Sequence, residues 1–156
     1  MKRIFIITVL LVTITFFLSS CGGGGQQPSE QKNANAAGNP QDLKAQMAKG
    51  EQIYKSKCIV CHQATGLGVP NVFPPLANSD YLLADKVRAV AQALNGSHTE
   101  LTVNGAKYTQ EMVPQVDTKE DAVAVINYVL NNFGNNGGSV TLDQVQGVVI
   151  NPRVKK

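Results

Sequence analysis

The chain has little cysteine, little histidine and no tryptophan, and these shortages limit the chemistry it can support. It has three cysteines and two histidines in 156 residues. A structural zinc site needs four ligands, and after Cys21 the chain has only four cysteine or histidine residues: Cys58, Cys61, His62 and His98. The βαβ pattern expected around a thioredoxin-like cysteine pair is also missing. A disulfide between Cys58 and Cys61, formed in an oxidising compartment, is the simplest structural alternative.

The chain also lacks a strong excess of charge of either sign. Fourteen basic and eleven acidic residues give a formal net charge of +3, and two of the basic residues, Lys2 and Arg3, lie at the N-terminus. Without residues 1–20, twelve basic residues face eleven acidic ones. Such a balance gives no reason to expect a nucleic-acid partner. We expect none, and we expect the protein to be a monomer.

Residues 1–20 have the pattern of a secretory signal peptide. A basic start is followed by an apolar run over residues 4–18, which is short for a membrane span, and then by small residues. The stretch "LSSC", which ends at Cys21, resembles the lipobox of bacterial lipoproteins. That resemblance implies cleavage before Cys21 and acylation of its thiol, whereas the alternative is an ordinary signal peptide with an incidental cysteine. We expect an exported protein, lipid-anchored at a bacterial membrane and facing the periplasm or the cell exterior.

The rest of the chain divides by composition into three parts. Residues 21–41 are rich in glycine, glutamine and asparagine and have no large apolar side chain, so they are predicted to form a flexible linker. Residues 42–135 contain the apolar periodicity of a small domain, which is marginally stable unless something is added to its core. Residues 136–156 form a tail, for which a strand, a short helix packed on the domain, or a partner contact are all open.

Three stretches of the domain have the periodicity of amphipathic helices. The first covers residues 42–57, with one apolar face at four-three-four spacing: Leu43, Met47, Gly50 and Tyr54. The second covers about residues 80–94. The third covers residues 117–133, with Asp117 as its predicted N-cap and Gly134 directly after its end. No convincing alternating strand is present, so the sequence predicts an all-α domain with three main helices.

A cysteine pair followed directly by histidine lies at the end of the first predicted helix, in "YKSKCIVCHQATG". Neither a zinc site, a dithiol pair nor a disulfide explains why His62 follows Cys61. Covalent attachment of haem does, because two thiols at this spacing can add to the two vinyl groups of a haem, and the next imidazole can then ligate its iron. We therefore predict one covalently bound haem c, held by Cys58 and Cys61 and ligated by His62. Two long loops rich in glycine and proline are expected to wrap it.

The second axial ligand of the iron has two candidates after His62, namely Met112 and His98. Met112 is preferred, because it lies in an irregular loop stiffened by Pro114, whereas His98 is interpreted as an exposed loop histidine. Met47 is assigned to the core face of the first helix. A metal-bound histidine usually donates its other ring proton to a carbonyl or carboxylate. The stretch "FPPLA", about a dozen residues after His62, offers proline carbonyls for this role.

Over residues 47–135 the chain resembles the class I monohaem cytochromes c, here in lipoprotein form. The resemblance rests on "GEQIYKSKCIVCH", "GLGVPNVFPPLANSDYL", "VNGAKYTQEMVP" and "EDAVAVINYVLNNFGN". It implies a cytochrome c fold, with helices wrapped round a covalently bound haem and the first and last helices crossing. Two pairs of residues would meet at that crossing: Gly50 and Tyr54 with Val125 and Tyr128.

The resemblance also implies roles for residues near the haem. Pro74 would accept the ring proton of His62, and Leu76 would pack on the haem. Met112 would be the sixth ligand, although the family usually places proline directly after this methionine, whereas here Val113 intervenes. An apolar shell is expected from eight residues: Val72, Phe73, Leu76, Leu82, Val87, Leu94, Leu101 and Ile126.

With both axial positions filled by the protein, the expected function is one-electron transfer rather than enzymatic turnover. We expect a membrane-tethered carrier in a respiratory chain, with a quinol-oxidising complex and a terminal oxidase or reductase as transient partners. Two alternatives belong to other classes. One is a haem enzyme or gas sensor with a displaceable sixth ligand, and the other is a haem-free disulfide protein.

Overall fold

A computed structural model describes residues 40–152, which are mostly helical with little strand, as the sequence predicts. The assignments for residues 1–20, for Cys21 and for most of the linker lie outside the described residues. The helices follow in chain order: α1 (Pro40–Ile53), α2 (Ile59–His62), α3 (Asp80–Ala84), α4 (Lys86–Asn95) and α5 (Lys119–Leu130). A π-helical turn (Tyr54–Cys58), a 3-10 turn (Asp143–Val145) and two strands, β1 (Leu101–Val103) and β2 (Ala106–Tyr108), complete the order. Within residues 40–152, no helix combines the length and the apolar character needed to span a bilayer.

The first helical stretch is longer than predicted and includes the whole cysteine motif. It begins at Pro40, where a missing N–H suits the first helical position, and continues through the π-helical turn and α2 to His62. The chain then leaves the helix at Gln63, whose φ is 64°. The hydroxyl of Tyr54 donates a hydrogen bond of 2.6 Å to the carbonyl of Gln63. This bond ties the start of the π-helical turn to the residue that follows His62.

Helices α1 and α5 cross at Gly50. A Cβ atom at Gly50 would lie under 3.0 Å from the carbonyl of Ala124 and 2.8 Å from the Cβ of Tyr128, so only glycine allows this approach. The ring of Tyr54 lies 5.6 Å from that of Tyr128 and 5.0 Å from that of Phe133. The implied crossing is therefore present, but the backbone of Ala124 takes the place next to Gly50 that was expected for Val125.

The second predicted helix is two helices, so the prediction of one continuous helix over about 80–94 was wrong. Asp85 interrupts it with an extended backbone (φ −151°, ψ 101°), and its carboxylate accepts a hydrogen bond of 2.9 Å from the N–H of Arg88. Ser79 caps α3 in the same way, because its hydroxyl accepts from the N–H of Leu82 at 3.2 Å. Side chains of this kind compete with the helical backbone and therefore start a new helix.

The last helix, α5, begins one residue later than predicted. Its N-cap is Thr118 rather than Asp117, since the Thr118 hydroxyl accepts a hydrogen bond of 3.2 Å from the N–H of Asp121. Thr118 and Asp121 have the spacing of a threonine N-cap followed by an acidic residue, so the signal was present in the sequence.

The same helix ends at Leu130, three residues before the predicted end at Phe133. Two asparagine side chains directly after it donate hydrogen bonds to carbonyls of its last turn. Asn131 donates to Asn127 and Asn132 donates to Tyr128, each at 2.9 Å. Gly134 has a positive φ of 81°, but the helix already ends at Leu130, so Gly134 is not its C-terminal cap.

A β-hairpin that the sequence analysis did not predict lies between α4 and α5. Strands β1 and β2 pair antiparallel, with Leu101 opposite Tyr108 and Val103 opposite Ala106. The turn is formed by Asn104 and Gly105, whose φ values are 51° and 78°. An Asn-Gly pair flanked by alternating side chains is the strongest short hairpin signal, so this element could have been found.

The tail packs against the domain instead of extending away from it. Val140 and Val145 are fully buried in the same core as α4 and α5, and the 3-10 turn provides the short helical segment that was one of the alternatives. The buried side chain of Asn127 holds the tail in place. Its amide donates to the carbonyl of Val140 at 3.0 Å, and its oxygen accepts from the N–H of Val140 at 2.8 Å. Residues 136–152 therefore extend the packed domain beyond residue 135.

Candidate functional site

An open cleft lies beside the cysteine motif, and the empty space in and in front of it, which includes open solvent, is about 1210 Å³. Its walls come from the π-helical turn and α2, from α3, from the inner faces of α4 and α5, and from two connecting segments. These are residues 63–79, called the proline loop below, and residues 96–118, called the methionine loop, which includes the β1–β2 hairpin. The two loops that were expected to wrap a bound group therefore both face the same space.

Both cysteines of the motif line this cleft, and both are half-buried. Burial, together with the nearby Cys61, raises the pKa of the Cys58 thiol to about 11. An unattached thiol at this position would therefore be protonated at neutral pH. The π-helical turn ends at Cys58 and α2 begins directly after it, so the helical stretch brings both thiols to the wall of the cleft.

His62 is buried, with 9% of its surface exposed, and it also lines the cleft. Its Nδ1 atom lies 3.0 Å from the carbonyl oxygen of Pro74. Because a carbonyl can only accept, Nδ1 carries the proton and donates it, and Nε2 keeps a lone pair for a metal. Burial lowers the pKa of His62, although the bond to Pro74 acts in the opposite direction. The imidazole is thus neutral at neutral pH, which is the form that ligates iron.

Gly68 permits the contact between His62 and the proline loop, and the sequence analysis did not identify it. Its φ is 65°, and a Cβ atom there would lie under 3.0 Å from the carbonyl oxygens of Phe73 and Pro74. The N–H of Gly68 donates a hydrogen bond of 3.0 Å to the carbonyl of His62. The proline loop therefore closes directly onto the end of α2.

Leu76 lines the cleft, and its backbone is held from two sides. Its N–H donates to the carbonyl of Gly66 at 2.7 Å, and its carbonyl accepts from the side chain of Asn135 at 2.9 Å. Asn135 is buried and also donates to the carbonyl of Val129 in α5 at 2.8 Å. Asn135 therefore fixes the proline loop to α5. One asparagine in the stretch "NNFGNN" carries no distinct signal, so sequence reasoning could not select it.

The two candidates for the sixth ligand lie in different surroundings. Met112 is half-buried and lines the cleft together with His62. The side chain of His98 is 60% exposed, and its Nδ1 atom lies 3.7 Å from a carboxylate oxygen of Glu111. His98 is not among the residues that line the cleft, whereas Met112 is. In the described part of the chain, no three His, Cys, Asp or Glu side chains are grouped so that they could hold a metal ion.

Five of the eight residues expected in the apolar shell line the cleft: Phe73, Leu76, Leu82, Leu101 and Ile126. The other three do not. Val72 and Val87 are exposed on the surface, and Leu94 is buried in the core behind the cleft. Val87 lies in the first turn of α4, and the buried residues of that helix are the later ones, namely Ala89, Val90, Ala93 and Leu94.

Comparison with known proteins identifies the class of protein that this fold and cleft define. The cytochrome c family matches residues 47–133, which is more than half of the chain. The chain therefore belongs to the cytochrome c family, and it is a class I monohaem cytochrome c.

The individual relatives are bacterial cytochromes. The chain is 33% identical over 92 residues to cytochrome c-552 of Thermus thermophilus, a match that covers 56% of this chain and 70% of that protein. A second cytochrome c-552, from Thermus thermophilus strain ATCC 27634 / DSM 579, is also 33% identical over 92 residues, and this match covers 62% of that protein. The cytochrome c subunit of a quinone alcohol dehydrogenase from Gluconobacter oxydans is 26% identical over 100 residues, and the chain spans only 21% of its length.

Members of this family carry covalently bound haem c, and one C-x-x-C-H motif in the sequence corresponds to one haem. The residues that line the cleft fit such a group. Cys58 and Cys61 offer two thiols for its two vinyl groups, and His62 and Met112 offer an imidazole nitrogen and a thioether sulfur for its iron. The remaining wall is mainly apolar, which suits a flat hydrophobic macrocycle.

Proposed function

We propose that this chain is a one-electron carrier and not an enzyme, with His62 and Met112 as the axial ligands of its haem. The observation that supports this most strongly is that both side chains line one cleft while His62 is held by Pro74. When bound, the haem iron supplies a one-electron change between its ferric and ferrous states. The name cytochrome c-552, shared by two relatives, is consistent with this role.

Each proposed site residue has a distinct task. Cys58 and Cys61 hold the group covalently, and Pro74 fixes the imidazole of His62 with Nε2 free to ligate. The thioether of Met112 is a soft ligand, which favours the lower oxidation state and raises the reduction potential relative to two histidines. Leu76 and the other apolar wall residues exclude water, which also disfavours the more highly charged state. If His62 and Met112 both ligate the iron, the haem would supply electron exchange and would have no position left for a substrate.

Met112→Ala tests the axial assignment. We expect the purified variant to keep covalent haem, to lose the weak far-red absorption of a ferric iron–sulfur bond, and to have a lower reduction potential. His98→Ala is the matched control, because it removes the other candidate ligand, and it should change neither property. If Met112→Ala retained both the absorption and the potential, Met112 would not be a ligand.

The wild-type spectrum separates the alternative functions. A low-spin haem that does not react with carbon monoxide when reduced supports the carrier. A high-spin haem, or one that binds carbon monoxide readily, would support an enzyme or gas sensor with a displaceable sixth ligand. A folded but colourless protein would support the haem-free disulfide protein.

We also propose that the haem domain is exported and tethered to a bacterial membrane through a lipid on Cys21. The supporting observations are the signal-like residues 1–20, the lipobox-like "LSSC" and the polar composition of the linker that follows. Tethering would raise the concentration of the carrier near membrane-bound partners. We propose a quinol-oxidising complex and a terminal oxidase or reductase as those partners. The relative from a quinone alcohol dehydrogenase supports a quinone-linked role.

Incorporation of a labelled fatty acid tests the tether. Cells that express the full chain in the presence of labelled palmitate should yield labelled protein, and Cys21→Ser should abolish the label. Ser20→Ala is the control, because it leaves the thiol of Cys21 in place and keeps a small residue before it. An unlabelled wild-type protein, or a Cys21→Ser variant that is still labelled, would contradict lipidation at Cys21.

A further inference from the structure

The backbone of Met112 is held by a residue that lies far from it in the sequence. The N–H of Ser97 donates a hydrogen bond of 2.8 Å to the carbonyl of Met112, and the N–H of Met112 donates one of 3.0 Å to the carbonyl of Ser97. This isolated antiparallel pair lies outside the β1–β2 hairpin. The family's usual proline does not follow Met112 directly, because Val113 separates it from Pro114. The pairing with Ser97 thus provides a constraint that the neighbouring residue does not.

Gly96 makes this pairing possible. It follows the last residue of α4, its φ is 79°, and its N–H donates a hydrogen bond of 2.8 Å to the carbonyl of Gln92. A Cβ atom at Gly96 would lie under 3.0 Å from the carbonyl oxygen of Met112 and 3.2 Å from the Cδ of Pro114. The backbone of Met112 therefore occupies the space that any other side chain at position 96 would need.

The segment that follows Met112 is attached to the same helix. The N–H groups of Gln115 and Val116 both approach the carbonyl of Ala93, at 3.0 and 3.3 Å. Ala93 is buried in the core and belongs to the last turns of α4. The methionine loop is therefore fixed to the end of α4 on both sides of Met112, with Gly96 and Ser97 before it and Ala93 after it.

We propose that Gly96 is a positioning residue for Met112, and that it keeps the thioether on the haem iron by letting the backbone of Met112 lie directly against the end of α4. This inference rests on the proposed axial role of Met112. A methionine side chain is unbranched and flexible, so the position of its sulfur depends on where its backbone is held. A site that is about 1 Å too loose loses its function even when all of its residues are present.

Gly96→Ala is the test, and Gly105→Ala is a control for the loss of a glycine at positive φ in the same loop. Both glycines have a positive φ, 79° and 78°, but Gly96 also has a ψ of −171°, a combination that is nearly restricted to glycine, so Gly96→Ala adds backbone strain as well as the steric conflict, and the double-mutant cycle below separates the two. They differ in their surroundings, because nothing lies within 4 Å of a Cβ atom built at Gly105. Only the variant at position 96 adds the steric conflict with Met112.

The measurements are made on the haem-loaded full chain. We expect Gly96→Ala to lose most of the far-red iron–sulfur absorption, and to bind added imidazole at the ferric haem about tenfold more tightly, the factor that corresponds to a modest overpacking penalty. Gly105→Ala should keep the absorption and the wild-type affinity for imidazole. If the two variants behaved alike, the special role of Gly96 would be disproved.

A double-mutant cycle separates ligand positioning from a general structural effect. In a Met112→Ala background there is no sulfur to position, so adding Gly96→Ala should leave the imidazole affinity unchanged. An equal effect of Gly96→Ala in both backgrounds would overturn the inference. A wild-type protein without the far-red absorption would overturn the axial role of Met112 and the inference with it, whereas a normal wild type with an unaffected Gly96→Ala would overturn the inference alone.

A second variant covers the case in which Gly96→Ala does not accumulate as a folded protein. Ser97→Pro leaves Gly96 unchanged and removes the N–H that donates to the carbonyl of Met112. One of the two hydrogen bonds that hold the backbone of Met112 against the end of α4 is then lost. The variant should lose part of the far-red absorption, and full retention would count against the inference.

Discussion

Gly50→Ala is expected to destabilise the haem-loaded domain by about 1–3 kcal/mol, the usual cost of overpacking against a neighbour that cannot move away. In an exposed helix the same change would stabilise the protein by about 1 kcal/mol. The sign is reversed here because the new Cβ atom would meet the backbone of Ala124, which cannot rotate away as a side chain could. Helices α1 and α5 would have to separate. Denaturant unfolding followed by helical circular dichroism measures the change in the free energy of unfolding.

Gly147→Ala is the control for this prediction. Gly147 is exposed, and no atom lies within 4 Å of a Cβ atom built there. Its φ is not in the positive range, so alanine there should be neutral or slightly stabilising. If Gly50→Ala proved as stable as Gly147→Ala, the close crossing of α1 and α5 at position 50 would be incorrect.

Replacing both cysteines, as in Cys58→Ser with Cys61→Ser, should abolish covalent haem and with it the stable tertiary structure. The physical reason is the size of the cleft relative to the domain. Apolar side chains from α4, α5 and both loops face this space, and without the haem they would be exposed to water. A domain of about one hundred residues buries too little other apolar surface to compensate easily. Near-ultraviolet circular dichroism and denaturing electrophoresis with haem detection measure the two losses.

Val60→Ala is the matched control, because Val60 lies between the two cysteines and 77% of its surface is exposed. It should keep both the haem and the fold. A double cysteine variant that unfolds with the same cooperativity and midpoint as the wild type would show that the haem is not needed for the core.

The chemistry of the site could be predicted from the sequence because its main signal is local. Cys58, Cys61 and His62 lie within five residues, and their spacing alone indicates haem attachment. The hairpin at Asn104 and Gly105 was also encoded locally, but it was overlooked because the strands are only three residues long.

The residues that hold the site together could not be predicted, because their roles depend on segments that are distant in the sequence. Gly68 matters only because the carbonyl of Pro74 approaches it, and Gly96 matters only because Met112 does. Asn135 acts through hydrogen bonds to backbone groups more than fifty residues away. The buried valines of the tail resemble ordinary surface positions until the core that contains α4 and α5 is packed beneath them. Periodicity and motif spacing carry no information about such contacts.

The central claim is that a haem, bound through Cys58 and Cys61, forms the centre of this domain. Its most direct test is the intact mass of the wild-type chain, produced with a cytochrome c maturation system and measured under denaturing conditions. We predict that the chain retains the mass of one haem and that a peptide containing Cys58, Cys61 and His62 carries it. A chain that has no haem mass under these conditions, and that is nevertheless compactly folded before denaturation, would contradict the account.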